Sequence, residues 1–119
     1  AAPEGAGIAI AAIRALMSDL PAVVCLVHCA SNYPADSAQA PDAVALGEAM
    51  RLNIQMPAEL TAGLLPSMAA GSSVLFVGST LSEKAVAGRL SYCTVKHAML
   101  GLMRATAQDL LRTGVHTAL

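Results

Sequence analysis

The sequence predicts an α/β fold: an open sheet of parallel strands with helices packed against it. Segments with helical periodicity alternate with short apolar runs, in the order helix, strand, helix, strand, helix, strand. The apolar runs are continuous rather than alternating with polar residues, which is typical of strands buried on both faces of a parallel sheet. The 119 residues are 55% apolar and 13% charged, so we expect one folded domain and exclude a disordered chain.

The first two elements lie before residue 30. Residues 6–20 carry apolar side chains at helical spacing, and Pro21 follows them, which predicts an amphipathic helix. Residues 22–29 form a continuous apolar run with β-branched residues and predict a buried strand. On a strand, Cys25 and Cys29 would lie about 13 Å apart, too far for a disulfide or a shared metal. We therefore expect both to be small buried side chains.

The longest predicted helix covers residues 42–68. It follows a stretch of turn-forming residues, 30–41, which predicts a loop. Asp42 is placed to cap the N-terminus of this helix. Pro57 lies inside it and should kink or split it, because proline has no backbone N–H and crowds the preceding turn.

The last part of the chain continues the alternation of strand and helix. Residues 73–78 predict a second buried strand, and residues 80–91 predict a loop. Residues 92–112 carry apolar side chains on a helical period, with Gly114 expected as the C-cap. Residues 115–119 begin a third strand.

Composition excludes several classes of function. A net charge of −1 provides no basic surface for nucleic acid or for a membrane surface, and 3% aromatic residues without tryptophan provide no base-stacking platform. No pair of histidines has helical metal-ligand spacing, so we expect no metal site. The three cysteines are an odd, low number, which is typical of a reducing compartment and predicts a cytoplasmic protein.

Polar residues with catalytic potential follow the predicted strands. Ligands of open α/β sheets bind beyond the carboxyl ends of the strands, and Ser79 lies at the end of the second strand. Tyr92 and Lys96 are four residues apart on the third helix and therefore share one face. An ammonium beside a phenol favours the phenolate, which would make Tyr92 a general acid–base, with the Ser79 hydroxyl binding a substrate oxygen. Proton delivery to a carbonyl is half of a ketone reduction, and the hydride must come from a cofactor.

These residues resemble those of the short-chain dehydrogenase/reductase family. Tyr92-Cys93-Thr94-Val95-Lys96 is similar to the Tyr-x-x-x-Lys motif of that family, whose catalytic serine lies about a dozen residues upstream, where Ser79 stands. Asn53 matches the catalytic asparagine in the preceding long helix. His28-Cys29-Ala30-Ser31 takes the place of the family's Asn-Asn-Ala-Gly segment. The resemblance extends from about residue 8 to residue 119.

The resemblance implies part of a doubly wound, Rossmann-type domain and an NAD- or NADP-dependent interconversion of a carbonyl and a secondary alcohol. Tyr92 would be the acid–base and Ser79 would polarise the substrate oxygen, while Asn53 would support a proton relay through water. Lys96 would activate the phenol and bind the nicotinamide ribose. Coenzyme contacts are expected at Cys29, Ala30, Ser31, Tyr92 and Lys96. Ketoacyl, pteridine or generic ketone reduction all fit, and the two helices 42–68 and 92–112 would pair subunits of a homodimer or homotetramer.

Some family features differ. Gly5-Ala6-Gly7 is similar to part of the family's glycine-rich phosphate loop, but the following residues run directly into the strand at 22–29, so a later helix of the family is the preferred interpretation. No strand with a ribose-reading acidic residue precedes that segment, and we expect residues 1–119 to be one incomplete domain. His28 could bond to a neighbouring strand or be a satisfied core histidine. The alternative to an enzyme is a non-catalytic fragment or scaffold of the same fold.

Overall fold

The structure, a computed structural model, describes residues 4–17 and 21–119. It confirms the predicted alternation of helices and parallel strands. The elements, in chain order, are helix α1 (Glu4–Leu16), strand β1 (Cys25–His28), helix α2 (Ala43–Met50), a π-helical turn (Arg51–Gln55), helix α3 (Met56–Leu64), a 3-10 helix (Leu65–Ser67), strand β2 (Ser73–Phe76), a second 3-10 helix (Thr80–Ser82), helix α4 (Leu90–Asp109) and strand β3 (His116–Ala118).

The three strands form one parallel sheet in the order β1-β2-β3. Cys25 pairs with Ser73 and His28 with Phe76, so β1 and β2 end at the same level. The loops that follow these two strands therefore leave the sheet at one edge, where ligands of open α/β sheets bind. This topology brings the segment after His28 and the segment after Phe76 to the same side of the domain.

The hydrophobic core lies between the sheet and α4. Its buried members come from β2, from α4 and from the segments that precede β2 and β3. On α4, Val95 is fully buried and Met99 is 1% exposed, which confirms the helical period predicted for that segment. The core thereby fixes the face of α4 that points toward the sheet, and with it the direction of the residues on the neighbouring face. The buried cluster consists of Met68, Val74, Phe76, Met99, Leu110 and Val115.

The long helix predicted over 42–68 is divided, as its proline predicted. Asp42 caps α2 by accepting a 2.9 Å hydrogen bond from the backbone N–H of Ala45. At the π-helical turn, the N–H of Met56 donates to the carbonyl of Arg51, five residues back. Pro57 then lies in the first turn of α3, where it has no N–H to donate to the preceding turn. The wider turn thus accommodates the proline within an otherwise continuous helical segment.

The bounds of two predicted helices were wrong. The helix predicted over 6–20 begins at Glu4 and ends at Leu16, and residues 18–20 lie outside the described residues. Helix α4, predicted over 92–112, runs from Leu90 to Asp109 and so does not use Gly114 as its C-cap. Gly114 has a φ of 76° and instead turns the chain into β3, with its carbonyl accepting a 2.8 Å bond from the N–H of Gly71. A side chain at this position would be strained by the positive φ.

The predicted burial of the first strand was also wrong. Cys25 and Cys29 are exposed, and Val27 is 47% exposed, whereas only Cys93 of the three cysteines is buried. Exposure alternates along the strand: Val24 and Leu26 pack against the core, whereas Cys25 and Val27 lie on the opposite, exposed face. A continuous apolar run predicts burial on both faces only where other elements cover both faces of the sheet.

Candidate active site

Tyr92 and Lys96 lie on one face of α4, as their spacing predicted. Tyr92 occupies the first turn of the helix, and the Nζ atom of Lys96 lies 5.6 Å from the centre of its ring. Within the described residues, the phenol hydroxyl makes no hydrogen bond, so its proton remains available to a ligand. The two side chains form an aromatic–ammonium pair at the start of the helix.

Lys96 is a buried cation without a carboxylate beside it. Its side chain is 2% exposed, and its Nζ donates a 3.0 Å hydrogen bond to the carbonyl of Val77, just past the end of β2. No ion pair to Lys96 is formed within residues 4–17 and 21–119, and burial lowers the pKa of its ammonium. A buried ammonium needs several acceptors, and here the described chain supplies one. Its two remaining N–H donors fit hydroxyl groups of a ligand.

Ser79 lies two residues beyond Val77, at the N-terminus of the 3-10 helix Thr80–Ser82. Its hydroxyl oxygen accepts a 3.1 Å bond from the N–H of Leu81, and its own N–H donates to the hydroxyl of Ser82 at 3.2 Å. This reciprocal capping box fixes the rotamer of Ser79. The 3-10 helix packs against α4, so Ser79 and the first turns of α4 belong to one side of the domain. No direct hydrogen bond joins Ser79 to Tyr92 in the described chain.

Asn53 is fully buried inside the π-helical turn. Its amide nitrogen donates 2.9 Å to the carbonyl of Ala49, and its amide oxygen accepts a 2.8 Å bond from the hydroxyl of Ser31. The structure therefore brings together Asn53 and Ser31, two residues that the family resemblance assigned to catalysis and to coenzyme binding. The π-helical turn also packs against α4. Sequence reasoning predicted the disruption at Pro57 but not that Asn53 itself lies in the widened turn, a feature common at functional sites.

The other predicted coenzyme contacts, Cys29 and Ala30, are exposed at the end of β1. Both line a surface cavity of about 150 Å³ that is also bordered by α3 and the π-helical turn. His28, just before them, is 7% exposed, and its Nε2 lies 2.8 Å from the hydroxyl of Thr61. Burial lowers the pKa of this imidazole. Of the two interpretations left open for His28, the satisfied core histidine agrees with this contact.

Sequence reasoning missed Asp36, which joins the loop after β1 to the start of α4. Its carboxylate accepts bonds from the backbone N–H of Ser91 at 2.9 Å and from the Ser91 hydroxyl at 2.5 Å. These hydrogen bonds from Ser91 hold the pKa of Asp36 below its usual value. The same loop carries Tyr33, whose ring meets the ring of Tyr92 edge-on at 4.5 Å between centroids. In the structure, α4 begins at residue 90 without a capping side chain of its own, so its first N–H groups need acceptors from another segment.

Two polar groups of this region lack a full set of partners within the described residues. The unpaired donors of Lys96 and the buried amide oxygen of Asn32, which has no hydrogen-bond partner, are polar groups that a ribose could satisfy. Residues 5 and 7 lie inside α1, so their glycines form no phosphate-binding loop and the helix interpretation was correct. A larger surface cavity, of about 300 Å³, opens beside Arg89 and Thr94. None of Asn53, Ser79, Tyr92 and Lys96 lines it.

Comparison with known proteins identifies the family. The sequence profile described as short chain dehydrogenase matches residues 8–119. A short-chain dehydrogenase from Streptomyces avermitilis superposes with a TM-score of 0.85 at 24% identity, over 96% of this chain and 42% of that protein. An NADPH-bound carbonyl reductase from chicken fatty liver gives 0.84 at 18% identity, over 94% and 50% of the two chains. A blue fluorescent protein from a metagenomic library, in complex with NADPH, gives 0.79 at 27% identity, over 92% and 45%.

The 119 residues thus span about half the length of the solved structures they resemble. The likeness to structures below 25% identity establishes the Rossmann-type fold. No curated protein sequence matches the chain significantly. In the described part of the chain, no helix is long and apolar enough to cross a membrane.

Proposed function

The chain belongs to the short-chain dehydrogenase family, and on that premise we propose that it interconverts a carbonyl compound and a secondary alcohol with NADP or NAD as the hydride carrier. One observation carries the proposal: the buried ammonium of Lys96, without a carboxylate partner in the described chain, lies beside the ring of Tyr92. An uncompensated buried charge costs stability, so its presence indicates a functional role.

In this proposal Tyr92 supplies the proton. During reduction its hydroxyl donates a proton to the carbonyl oxygen, and the phenolate that forms is stabilised by the ammonium of Lys96. The coenzyme, when bound, supplies the hydride that adds to the carbonyl carbon, so that a ketone plus a hydride and a proton gives the alcohol. In the reverse direction the phenolate removes the hydroxyl proton of the alcohol.

The other site residues have supporting roles in the proposal. Ser79 would donate its hydroxyl proton to the substrate oxygen while its own oxygen accepts the N–H of Leu81. Lys96 would also bind ribose hydroxyls with the N–H donors that Val77 leaves free. Asn53, joined to Ser31, would maintain the end of β1 where Cys29 and Ala30 contact the coenzyme.

The test is Tyr92→Phe in the full-length protein, assayed as oxidation of NADPH or NADH in the presence of ethyl acetoacetate or acetophenone. This change keeps the ring and its contact with Tyr33 but removes the proton donor. We expect turnover to fall at least about 100-fold, the usual effect of losing a general acid. Turnover close to that of the wild type would contradict the catalytic role, and absence of NADPH and NADH binding by the wild type would favour a non-catalytic scaffold.

We also propose that the protein is a homodimer or homotetramer that pairs through the helical segment 43–64 and α4. On these elements Val44 is 71% exposed and Met50 is 37% exposed, and the predicted segment 92–112 carries only four charged residues. Exposed apolar side chains on such a surface favour burial against a second copy. Light scattering at micromolar concentration should give twice or four times the mass of one chain, and a stable monomer would contradict the proposal.

A further inference from the structure

Helix α4 begins without a capping side chain of its own. Arg89 occupies the N-cap position and makes no side-chain hydrogen bond to the helix. The first N–H groups of any helix have no intrahelical acceptor and need one from elsewhere. The first turn of α4, which carries Tyr92, therefore needs an acceptor from another part of the chain.

Asp36 is that acceptor, from the loop that follows β1. Its carbonyl oxygen accepts a 3.3 Å bond from the N–H of Leu90, and its carboxylate accepts both the N–H and the hydroxyl of Ser91. Asp36 is 7% exposed and Ser91 is fully buried, so water does not replace these contacts. Three donors on the two residues immediately before Tyr92 are thus tied to a single residue 55 positions away from Ser91.

The same loop also contacts the ring of Tyr92. Tyr33 meets that ring edge-on, an arrangement that aromatic quadrupoles favour. Arg89 lies with its guanidinium carbon 4.0 Å from the centre of the Tyr33 ring and donates a 3.4 Å bond to the Tyr33 carbonyl. The segment from residue 33 to residue 36 therefore contacts the ring of Tyr92 and also binds the two residues that precede it.

We propose that Asp36 is a positioning residue for Tyr92: by anchoring Leu90 and Ser91 to the loop after β1, it sets the place of the phenol hydroxyl relative to substrate and coenzyme. The proposal rests on the proposed function, in which Tyr92 transfers the proton. Asp36 touches neither reactant. A displacement of about 1 Å in a reacting group can cost about 100-fold in rate. Loss of the hydrogen bonds from Ser91 to Asp36 should therefore lower turnover more than it weakens binding.

The experiment compares three variants in the full-length protein with NADPH and ethyl acetoacetate. Asp36→Ala removes the carboxylate that accepts both bonds from Ser91 and keeps the carbonyl that accepts the N–H of Leu90. Asp36→Asn keeps an oxygen for the Ser91 N–H and offers an N–H to the Ser91 hydroxyl. The matched control is Asp42→Ala, which removes a capping carboxylate from α2 instead of α4. Circular dichroism first checks that each variant is folded at the assay temperature.

We expect Asp36→Ala to lower kcat about 10- to 100-fold, with KM for ethyl acetoacetate and Kd for NADPH within about threefold of the wild type. Asp36→Asn should recover kcat to within about threefold, and Asp42→Ala should stay within about twofold. Amide hydrogen exchange at Ser91 and Tyr92 should accelerate in Asp36→Ala and not in Asp42→Ala, because only the first removes an acceptor from α4.

The possible failures are distinguishable. An inactive wild type, or equal turnover by wild type and Tyr92→Phe, contradicts the proposed function and the positioning role with it. An inactive Tyr92→Phe beside a fully active Asp36→Ala contradicts the positioning role alone. Equal losses of kcat in Asp36→Ala and Asp42→Ala would indicate general destabilisation, and an Asp36→Asn as slow as Asp36→Ala would assign the effect to charge, so either result overturns positioning through hydrogen bonds.

Discussion

Helices α2 and α4 both begin at an aspartate carboxylate, but the two aspartates come from different parts of the chain. Asp42 directly precedes α2 and accepts the N–H of Ala45, three residues later. Asp36 accepts the N–H of Ser91, 55 residues later. A local cap stabilises the helix it begins, whereas a remote cap also fixes that helix against another segment. The helix that carries Tyr92 and Lys96 is the one with the remote cap.

The largest effect on activity should come from removing the ammonium of Lys96. Lys96→Met keeps the length of the side chain and removes the ammonium. We expect turnover to fall at least about 100-fold and NADPH affinity about tenfold, since both the charge beside Tyr92 and the ribose contact are lost. The rate of alcohol oxidation should need a higher pH, because the phenolate loses its neighbouring cation. The measurements are NADPH binding by calorimetry and oxidation rate against pH.

The stability of Lys96→Met should not fall with its activity. A methionine in place of a buried, unpaired ammonium removes a desolvation cost, so the melting temperature of Lys96→Met should equal or exceed that of the wild type. Lys96→Arg, which keeps the charge but changes its geometry, should restore the oxidation profile only in part. An unchanged profile in Lys96→Met would mean that Lys96 does not act on Tyr92.

A smaller effect is expected on stability, where removing the cap of α2 and removing the cap of α4 should lower the free energy of unfolding by different amounts. Asp42→Ala should lower the free energy of unfolding by about 1 kcal/mol, the usual value for an exposed N-cap. Asp36→Ala should lower it further, because it leaves the buried N–H and hydroxyl of Ser91 without acceptors. Urea unfolding followed by circular dichroism measures both. Equal urea midpoints would show that the remote cap contributes no more than the local one.

The smallest effect should be the loss, at acid pH, of the stability that the Asp36 carboxylate contributes. The hydrogen bonds from Ser91 hold the pKa of Asp36 below its usual value, so the ionised carboxylate stabilises the folded state at neutral pH. That contribution is present above the unfolded pKa of about 4 and is lost as the pH falls through the folded pKa. The difference in free energy of unfolding between the wild type and Asp36→Asn should therefore decrease as the pH is lowered from 7 to 3. In a Ser91→Ala background the decrease should be smaller, and an undiminished difference at pH 3 would contradict the assignment.

The two caps also show what the sequence can predict. Asp42 was predicted because its partner lies three residues away, and the Tyr92–Lys96 pair because four residues bring two side chains to one helix face. Local rules of this kind also predicted the division of the long helix at Pro57 and the buried face of α4. Contacts such as Asp36 with Ser91, or His28 with Thr61, depend on how distant elements pack, and no local pattern encodes them.

Burial of the first strand was mispredicted for a related reason. The composition of residues 22–29 indicates a strand, but whether both of its faces are covered depends on neighbouring elements. Cys25 is exposed because it lies on the face of β1 opposite Val24 and Leu26, which pack against the core. For Asn53, the sequence predicted the helix and its irregularity, whereas the bond to Ser31 follows from the tertiary arrangement.

Hydride transfer itself can be tested with one measurement. The full-length protein is incubated with ethyl acetoacetate and NADPH that carries deuterium at the transferable C4 position, and the alcohol is analysed by mass spectrometry and NMR. Reduction by the proposed mechanism predicts one deuterium at the carbinol carbon of the product, formed by the wild type and at least about 100-fold more slowly by Tyr92→Phe. Alcohol without deuterium at that carbon, or label transferred equally fast by Tyr92→Phe, would contradict it.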